Sequence, residues 1–262
     1  MNKFFHPYHL VSESPWPLMG SLSFIILMSG LIKMFMLKEF MLMYIGYLIM
    51  ILVVIQWWRD IIRESTYQGN HTDEVSLGLR LGMGLFILSE VMFFVSFFWS
   101  YFHMFLSPSV ELGGLWPPKD LLVFNPYNIP LLNTMILLSS GVTITWCHYL
   151  MINGSNYKDL SNSVNLTVFL GVLFMMFQYK EYSESYFSIS DSVYGSVFFM
   201  MTGFHGLHVM IGAIFILISS LRLLKLHYSN FHHFGFEAAS WYWHFVDVVW
   251  LFLYIFIYWL SY

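Results

Sequence analysis

The residue in this sequence best suited to chemistry is an acidic side chain, Glu90, in the middle of a long apolar stretch. From Leu81 to Val110 its carboxylate is the only formal charge. The stretch is long enough to cross a bilayer as a helix, since about 20 apolar residues span the hydrocarbon core. A charge there costs on the order of 3 kcal/mol and requires a partner or a proton. Two interpretations of Glu90 stay open: a buried carboxylate with a proton role, and a hydrogen-bonded packing group.

Small residues recur on the same stretch and predict a face for close helix packing. Their spacings are 4, 7, 7 and 4, at Gly78, Gly82, Ser89, Ser96 and Ser100. Glu90 lies about 100° around the helix from this seam. We expect its side chain to face protein or lipid rather than bulk water, and to carry a proton for much of the time. The candidate partners are the imidazoles of His205 and His208 and the hydroxyls of Ser89 and Thr202.

Polar residues at helical spacing mark two later stretches. His205 and His208 share a face in the motif GFHGLHV. Farther on, alternating steps of 3 and 4 align Glu237, Ser240, His244, Asp247, Leu251, Tyr254 and Tyr258. A haem or metal site and a proton wire are possible interpretations. A metal site needs three or four convergent ligands, however, and the spacing favours hydrogen bonds between polar side chains, such as His244 with Asp247. We therefore predict a polar interhelical network of His205, His208, Glu237, His244 and Asp247, and no metal ion within ligand distance of any histidine.

Two basic clusters flank apolar stretches and are candidate sites for lipid headgroups. The first comprises Trp58, Arg59, Arg63, Glu64 and His71, and the second Arg222, Lys225 and His227. Guanidinium groups at headgroup depth bind phosphates well. The competing interpretation is a basic membrane flank whose arginines pair with Asp60 and Glu64. No catalytic residue is predicted, because no phosphate loop, nucleophile elbow or metalloprotease motif occurs.

Composition places the chain in the membrane class. Of its 262 residues 58% are hydrophobic and only 10% charged, and the mean hydropathy is +0.66. A soluble domain carries about 25% charged residues. The net charge of −4 argues against nucleic acid as a partner. A single cysteine, Cys147, excludes an intrachain disulfide.

Uncharged runs predict an all-α, polytopic protein with seven transmembrane helices in a single domain, residues 1–262. The predicted spans are 14–32, 40–58, 77–106, 130–151, 160–179, 192–221 and 236–260. Lysine and arginine in the loops set the orientation. One side collects seven of them, Lys3, Arg59, Arg63, Arg80, Lys158, Arg222 and Lys225, and the other collects Lys33, Lys38, Lys119 and Lys180. The N-terminus is therefore expected on the positive side and the C-terminus opposite.

Several long motifs, in order along nearly the whole chain, carry a resemblance to a known family. They are SPWPLMG, QWWRDIIRESTYQG, FILSEVMFFVSFFW, ELGGLWPP, NTMILLSSGVTITW, GFHGLHV and HHFGFEAASWYWHFVDVVW. With these motifs the chain resembles subunit 3 of mitochondrial cytochrome c oxidase, the terminal complex of the respiratory chain. It departs at Cys147-His148-Tyr149, where relatives more often show Ala-His-His.

The resemblance implies a non-redox core subunit of an enzyme complex that reduces oxygen with electrons from cytochrome c and pumps protons. Haem a, haem a3 and copper would lie in partner subunits, chiefly subunits 1 and 2, alongside accessory subunits. This chain would stabilise the catalytic subunit, support proton uptake through Glu90, and hold structural phospholipids. The lipids would occupy a cleft between helices 1–2, about 14–58, and helices 3–7, about 77–260.

The resemblance also implies the mitochondrial inner membrane, with the N-terminus in the matrix and the C-terminus in the intermembrane space. Two other classes of function stay open. One is a stand-alone haem or metal protein using His205, His208 and His244, and the other is a proton-coupled transporter using Glu90.

Overall fold

A computed structural model of the chain describes residues 7–110, 113–119 and 121–262. Within these residues it has seven helices long and apolar enough to cross a membrane, as predicted. They are α1 (Trp16–Leu37), α2 (Met41–Thr66), α3 (Asp73–Leu106), α4 (Ile129–Ile152), α5 (Tyr157–Ser183), α6 (Val193–Leu224) and α7 (Phe234–Leu253), which continues as a π-helical segment, Tyr254–Trp259. Lys3 and the first two residues of the ELGGLWPP motif lie outside the described residues.

The helices are mostly longer than the uncharged runs that predicted them. α2 continues beyond residue 58 through Arg59 to Thr66, and α5 begins three residues before its predicted span and ends four residues after it. Helical hydrogen bonds do not require apolar side chains, so a helix continues past the hydrocarbon core into the polar interface. An uncharged run therefore measures the thickness of the hydrocarbon rather than the length of the helix.

The described contacts divide the chain into two compact units, Met1–Leu79 and Arg80–Tyr262. In the first unit, α1 and α2 approach each other backbone to backbone at Gly30 and Gly46. A Cβ added at Gly46 would lie 2.6 Å from the backbone nitrogen of Leu27. The indole of Trp16 donates to the Asp60 carboxylate at 2.7 Å, which joins the start of α1 to the end of α2.

The second unit is built around α7, whose aromatic side chains fill the core. The indole ring of Trp243 lies between two glycines of other helices, Gly171 on α5 and Gly212 on α6. A Cβ at these positions would lie 2.7 Å and 3.0 Å from ring atoms. The Trp243 indole nitrogen also donates to the Ser140 hydroxyl on α4, at 2.9 Å. One side chain thus fixes α7 against α4, α5 and α6.

Within the second unit, α3 packs through aromatic rings rather than through the predicted small-residue seam. Phe93 meets Phe204 on α6 with ring centroids 5.0 Å apart, and Phe102 meets Phe256 at 4.9 Å. The seam prediction is wrong for contacts within this chain. A Cβ added at Gly78 or Gly82 would meet nothing within 4 Å, and the hydroxyls of Ser89, Ser96 and Ser100 donate to backbone carbonyls of α3 itself. Large rings bury more apolar area than small residues do, and they hold α3 farther from its neighbours.

Candidate functional site

The carboxylate of Glu90 and the imidazole of His208 meet near the middle of α3 and α6. Glu90 Oε2 lies 3.0 Å from His208 Nε2, and both side chains are mostly buried, with exposed fractions of 25% and 11%. The other ring nitrogen, Nδ1, lies 2.6 Å from the carbonyl oxygen of Phe204, one turn earlier on α6. A carbonyl oxygen only accepts, so Nδ1 carries a proton and donates it there.

This tautomer determines how many protons the pair holds. With Nδ1 protonated, a neutral His208 presents a lone pair at Nε2 to the carboxyl group. A hydrogen bond between Nε2 and Oε2 then requires one further proton, either on Glu90 or on an imidazolium. In both arrangements the pair has zero net charge. A pair with zero net charge has a lower free energy inside an apolar span than an ionised carboxylate without a partner.

Aromatic rings surround the pair and keep its environment apolar. The centroid of the His208 ring lies 5.0 Å from that of Phe94. It lies 6.2 Å from the ring centroids of Phe93, Tyr242 and Phe245. An apolar environment strengthens a hydrogen bond and raises the cost of an unbalanced charge. Of the two surroundings expected for Glu90, protein or lipid, the contact with His208 provides the first.

Of the four partners predicted for Glu90, the structure selects His208. His205 is fully buried but turns to the carbonyl oxygen of Val246 on α7, with its Nε2 at 3.2 Å. The Thr202 hydroxyl lies 2.6 Å from that of Tyr182, and the Ser89 hydroxyl donates to the carbonyl of Phe86. The spacing of His205 and His208 predicted that they share a helix face, but the two side chains have different hydrogen-bond partners.

The polar stripe of α7 forms separate contacts rather than one network. Glu237 reaches α3 and α4, whereas Tyr258, in the π-helical segment, donates to the Glu181 carboxylate of α5 at 2.6 Å. His244 Nδ1 lies 3.9 Å from Asp247 Oδ2, too far for a hydrogen bond. The Asp247 carboxyl group instead packs against Gly141 of α4, since a Cβ added at this glycine would lie 2.7 Å from Asp247 Oδ2. The predicted hydrogen bond between His244 and Asp247 is therefore not formed.

The contacts of Glu237 form a second ionisable cluster that the sequence analysis did not assemble. Its Oε2 lies 3.3 Å from Nε of Arg80, at the start of α3. Its Oε1 lies 3.3 Å from Nε2 of His233 and 4.0 Å from Nε2 of His148, near the end of α4. The two Nε2 atoms are 3.2 Å apart. The i,i+4 spacing of His233 and Glu237 was a usable signal, but nothing in the sequence indicated His148 or Arg80.

Glu181 is a further buried acid that sequence reasoning missed. It lies near the end of α5, with its side chain almost wholly buried, and accepts the hydrogen bond from Tyr258. In the sequence it follows Lys180 directly, so it reads as part of a charged loop. The helix carries it inward because α5 continues four residues beyond its apolar run.

The first basic cluster is partly neutralised within its own unit. Asp60 accepts from Arg59 at 3.0 Å and lies 3.7 Å from Arg63, and Glu64 lies 3.1 Å from His9. The side chains of Arg59 and Arg63 are nevertheless 44% and 55% exposed. Trp58 is exposed beside them, and His71, half-buried, precedes α3. The arginines therefore pair as the competing interpretation expected, yet keep donors on the surface.

The second basic cluster lies at the C-terminal end of α6, and its members differ in their surroundings. The guanidinium of Arg222 stacks over the Tyr228 ring, 4.5 Å from its centroid, whereas Lys225 is exposed. Burial, and then the charges of Arg222 and Lys225, lower the pKa of His227. Since its ordinary pKa is about 6.5, this imidazole is neutral at pH 7. His227 can offer a hydrogen bond to a headgroup there, but no charge.

The similarity to known proteins extends over nearly the whole chain. A model of the family described as Cytochrome c oxidase subunit III matches residues 6–262. The chain is similar to Cytochrome c oxidase subunit 3 of Pisaster ochraceus and of Drosophila melanogaster, each 58% identical over 254 residues, and to that of Osphranter robustus, 56% identical over the same length. In each comparison the match covers 97% of this chain and 97% of the relative.

Proposed function

Because the chain belongs to the cytochrome c oxidase subunit III family, we propose that it is a multi-pass, non-redox core subunit of the respiratory oxidase in the mitochondrial inner membrane. Its function is to stabilise the catalytic subunit, hold structural phospholipids and support proton uptake. The observation that carries the proposal is the match over residues 6–262, which includes the seven helices able to span a membrane that the described part of the chain contains.

The proposal assigns electron transfer to partner subunits, with haem a, haem a3 and copper bound there. It is supported by the separate partners of the three histidines that a haem or metal enzyme would use. His205 bonds to a backbone carbonyl, His208 to Glu90, and His244 lies near Asp247.

Support of proton uptake is assigned to the pair of Glu90 and His208. The pair holds one proton that can lie on either partner, and a group with this property can exchange a proton with a neighbour. Aromatic rings restrict its access to water, so exchange with bulk solvent is expected to be slow. The contribution to turnover is therefore supporting rather than catalytic.

Phospholipid binding is assigned to the two basic clusters, through phosphate contacts to Arg59, Arg63 or His71 and to Arg222, Lys225 or His227. It is supported by the exposed guanidinium groups next to an exposed Trp58, an arrangement that suits the headgroup layer. The positive side, with the N-terminus, would then face the matrix. The single seven-helix domain and its lipid-holding cleft stay predictions.

Removal of this chain from the purified oxidase tests the core of the proposal. We expect an unchanged visible haem spectrum and continued oxygen consumption that decays faster during turnover. Loss of a haem band with the chain would contradict a non-redox function. An equally durable complex without the chain would contradict a stabilising one.

Lipid binding is tested with the double variant Arg59→Ala and Arg63→Ala. We expect less phospholipid in the purified complex, measured by mass spectrometry after extraction. The matched control is Lys33→Ala with Lys38→Ala, which removes the same charge at the other end of the α1–α2 hairpin. Equal lipid content in the wild type and the arginine variant would count against the proposal.

A further inference from the structure

Three potential metal-ligand atoms converge where the end of α4 meets the start of α7. They are Nε2 of His148, Nε2 of His233 and Oε1 of Glu237, all within 4.8 Å of one another. Among the residues that the structure describes, they form the one group of three or more histidine, cysteine or acidic side chains with ligand atoms this close together. In contrast to the prediction of no metal ion at any histidine, we propose that they form a binding site for a divalent metal ion with the preferences of zinc.

The spacing of the donor atoms fits one ion. Zinc lies about 2.0–2.1 Å from histidine nitrogen and carboxylate oxygen, so neighbouring ligand atoms of a tetrahedral site are about 3.4 Å apart. The two imidazole nitrogens are 3.2 Å apart, and Oε1 lies 3.3 Å from His233 and 4.0 Å from His148. A shift of a few tenths of an ångström in His148 would complete three corners of the tetrahedron. Two imidazoles and one carboxylate are also a common donor set for zinc.

Outer contacts orient two of the three ligands. Nδ1 of His233 donates to the carbonyl oxygen of Ser229 at 3.1 Å, which leaves the lone pair on Nε2. Nε of Arg80 holds Oε2 of Glu237 at 3.3 Å and leaves Oε1 facing the imidazoles. Metal-binding histidines and carboxylates usually have such second contacts. Arg80 Nη2 also approaches Oε1, at 3.4 Å, so an ion would compete with this contact and bind with moderate affinity.

The same arrangement identifies the competitor of a metal ion. With Nδ1 of His233 protonated, its Nε2 presents a lone pair to Nε2 of His148 and to Oε1 of Glu237. These three atoms repel one another unless one of them carries a proton and donates it to a neighbour. A proton shared within the cluster satisfies these atoms, and a divalent ion satisfies them by displacing that proton. The choice between proton and metal is what an experiment must decide.

A bound ion would connect the end of α4 with the start of α7, through His148 and His233, which are 85 residues apart in the chain. Three protein ligands leave a fourth position for water or for a group from another chain. His148 is partly exposed and gives an ion a route of entry. The site is independent of the proposed supporting function, because Glu90 and the basic lipid clusters contribute no ligand to it.

Zinc binding to the intact oxidase tests the proposal. The complex is stripped with a chelator, incubated with Zn²⁺, separated from free metal, and analysed for zinc per complex by mass spectrometry. We expect His148→Ala, His233→Ala and Glu237→Gln each to bind one zinc ion fewer than the wild type. The matched control, His244→Ala, removes an imidazole from α7 outside the cluster and should bind as much zinc as the wild type.

Anomalous diffraction from zinc-soaked wild-type crystals provides a readout that needs no variant. We expect a peak about 2.0–2.1 Å from both Nε2 atoms. No peak there, or equal zinc in the wild type and the three site variants, would overturn the proposal and leave a cluster held by a shared proton.

Discussion

Glu90 and Glu237 are both carboxylates that meet a histidine, but they lie at different depths along their helices. Glu90 stands mid-way along α3 and contacts one imidazole, at 3.0 Å. Glu237 stands in the first turn of α7 and contacts two imidazoles and a guanidinium. The helix N-terminus adds a favourable dipole for a negative charge at Glu237.

The difference shows two ways of holding an acid in a membrane protein. In the apolar middle, a proton shared with a single histidine keeps the net charge at zero. Near the helix ends, a fixed cation stabilises the ionised carboxylate. A neutral amide should therefore replace the first acid at little cost, whereas removal of the second leaves a cation and two imidazoles without their common partner. Substitutions at the two sites test this contrast.

The largest effect is expected for Glu237→Ala. It removes the partner of Arg80, His148 and His233, and breaking a fully buried ion pair costs about 3–5 kcal/mol. Because the guanidinium is half exposed, we expect about 3 kcal/mol, seen as lower thermal stability of the purified complex. Glu184→Ala is the control, since it breaks an exposed i,i+4 pair with Lys180 and should change stability by less than about 0.5 kcal/mol. Equal effects of the two variants would contradict the contrast.

Glu90→Ala should have an effect of similar size, a loss of about 2–4 kcal/mol from the cavity and the unpaired His208 nitrogen together. The measurement is again thermal stability, with retention of this chain in the complex as a second readout. An unchanged melting temperature would mean that the bond to His208 contributes nothing to the fold.

Glu90→Gln should have a much smaller effect, below about 1 kcal/mol. The amide has a similar volume and can donate to the Nε2 lone pair of His208. Oxygen consumption and assembly should stay near the wild-type values. If this substitution alone eliminates turnover in a fully assembled complex, Glu90 is catalytic and the supporting function fails.

The smallest effect is expected for Ser89→Ala, directly beside Glu90 in the chain. Its hydroxyl donates to the backbone of α3 and makes no bond to the acid. Stability and turnover should stay within experimental error of the wild type, less than about 0.5 kcal/mol. A loss similar to that of Glu90→Ala would show that the seam packs against a partner chain.

The sequence predicted the helices and the acid site better than the helix contacts. Charge-free runs locate membrane helices because hydrocarbon excludes charge, and the same exclusion singles out Glu90 and reduces its partners to a few polar groups. Spacing cannot identify which glycine meets which neighbour. Gly46 approaches a backbone and Gly212 an indole, whereas Gly82 meets nothing within 4 Å. The cluster at Glu237 went unrecognised because its members, Arg80 included, come from the ends of three helices, and spacing along the sequence does not bring them together.

The shared proton of Glu90 and His208 also determines how the pair responds to an electric field. A full elementary charge that crosses the membrane gains about 2.3 kcal/mol per 100 mV. A proton that moves between Nε2 and Oε2, 3.0 Å apart, travels about 1 Å of a hydrocarbon layer about 30 Å thick. The energy involved is at most about 0.1 kcal/mol per 100 mV by this scaling. The position of the proton within the pair, on Nε2 or on Oε2, is therefore nearly independent of the membrane potential.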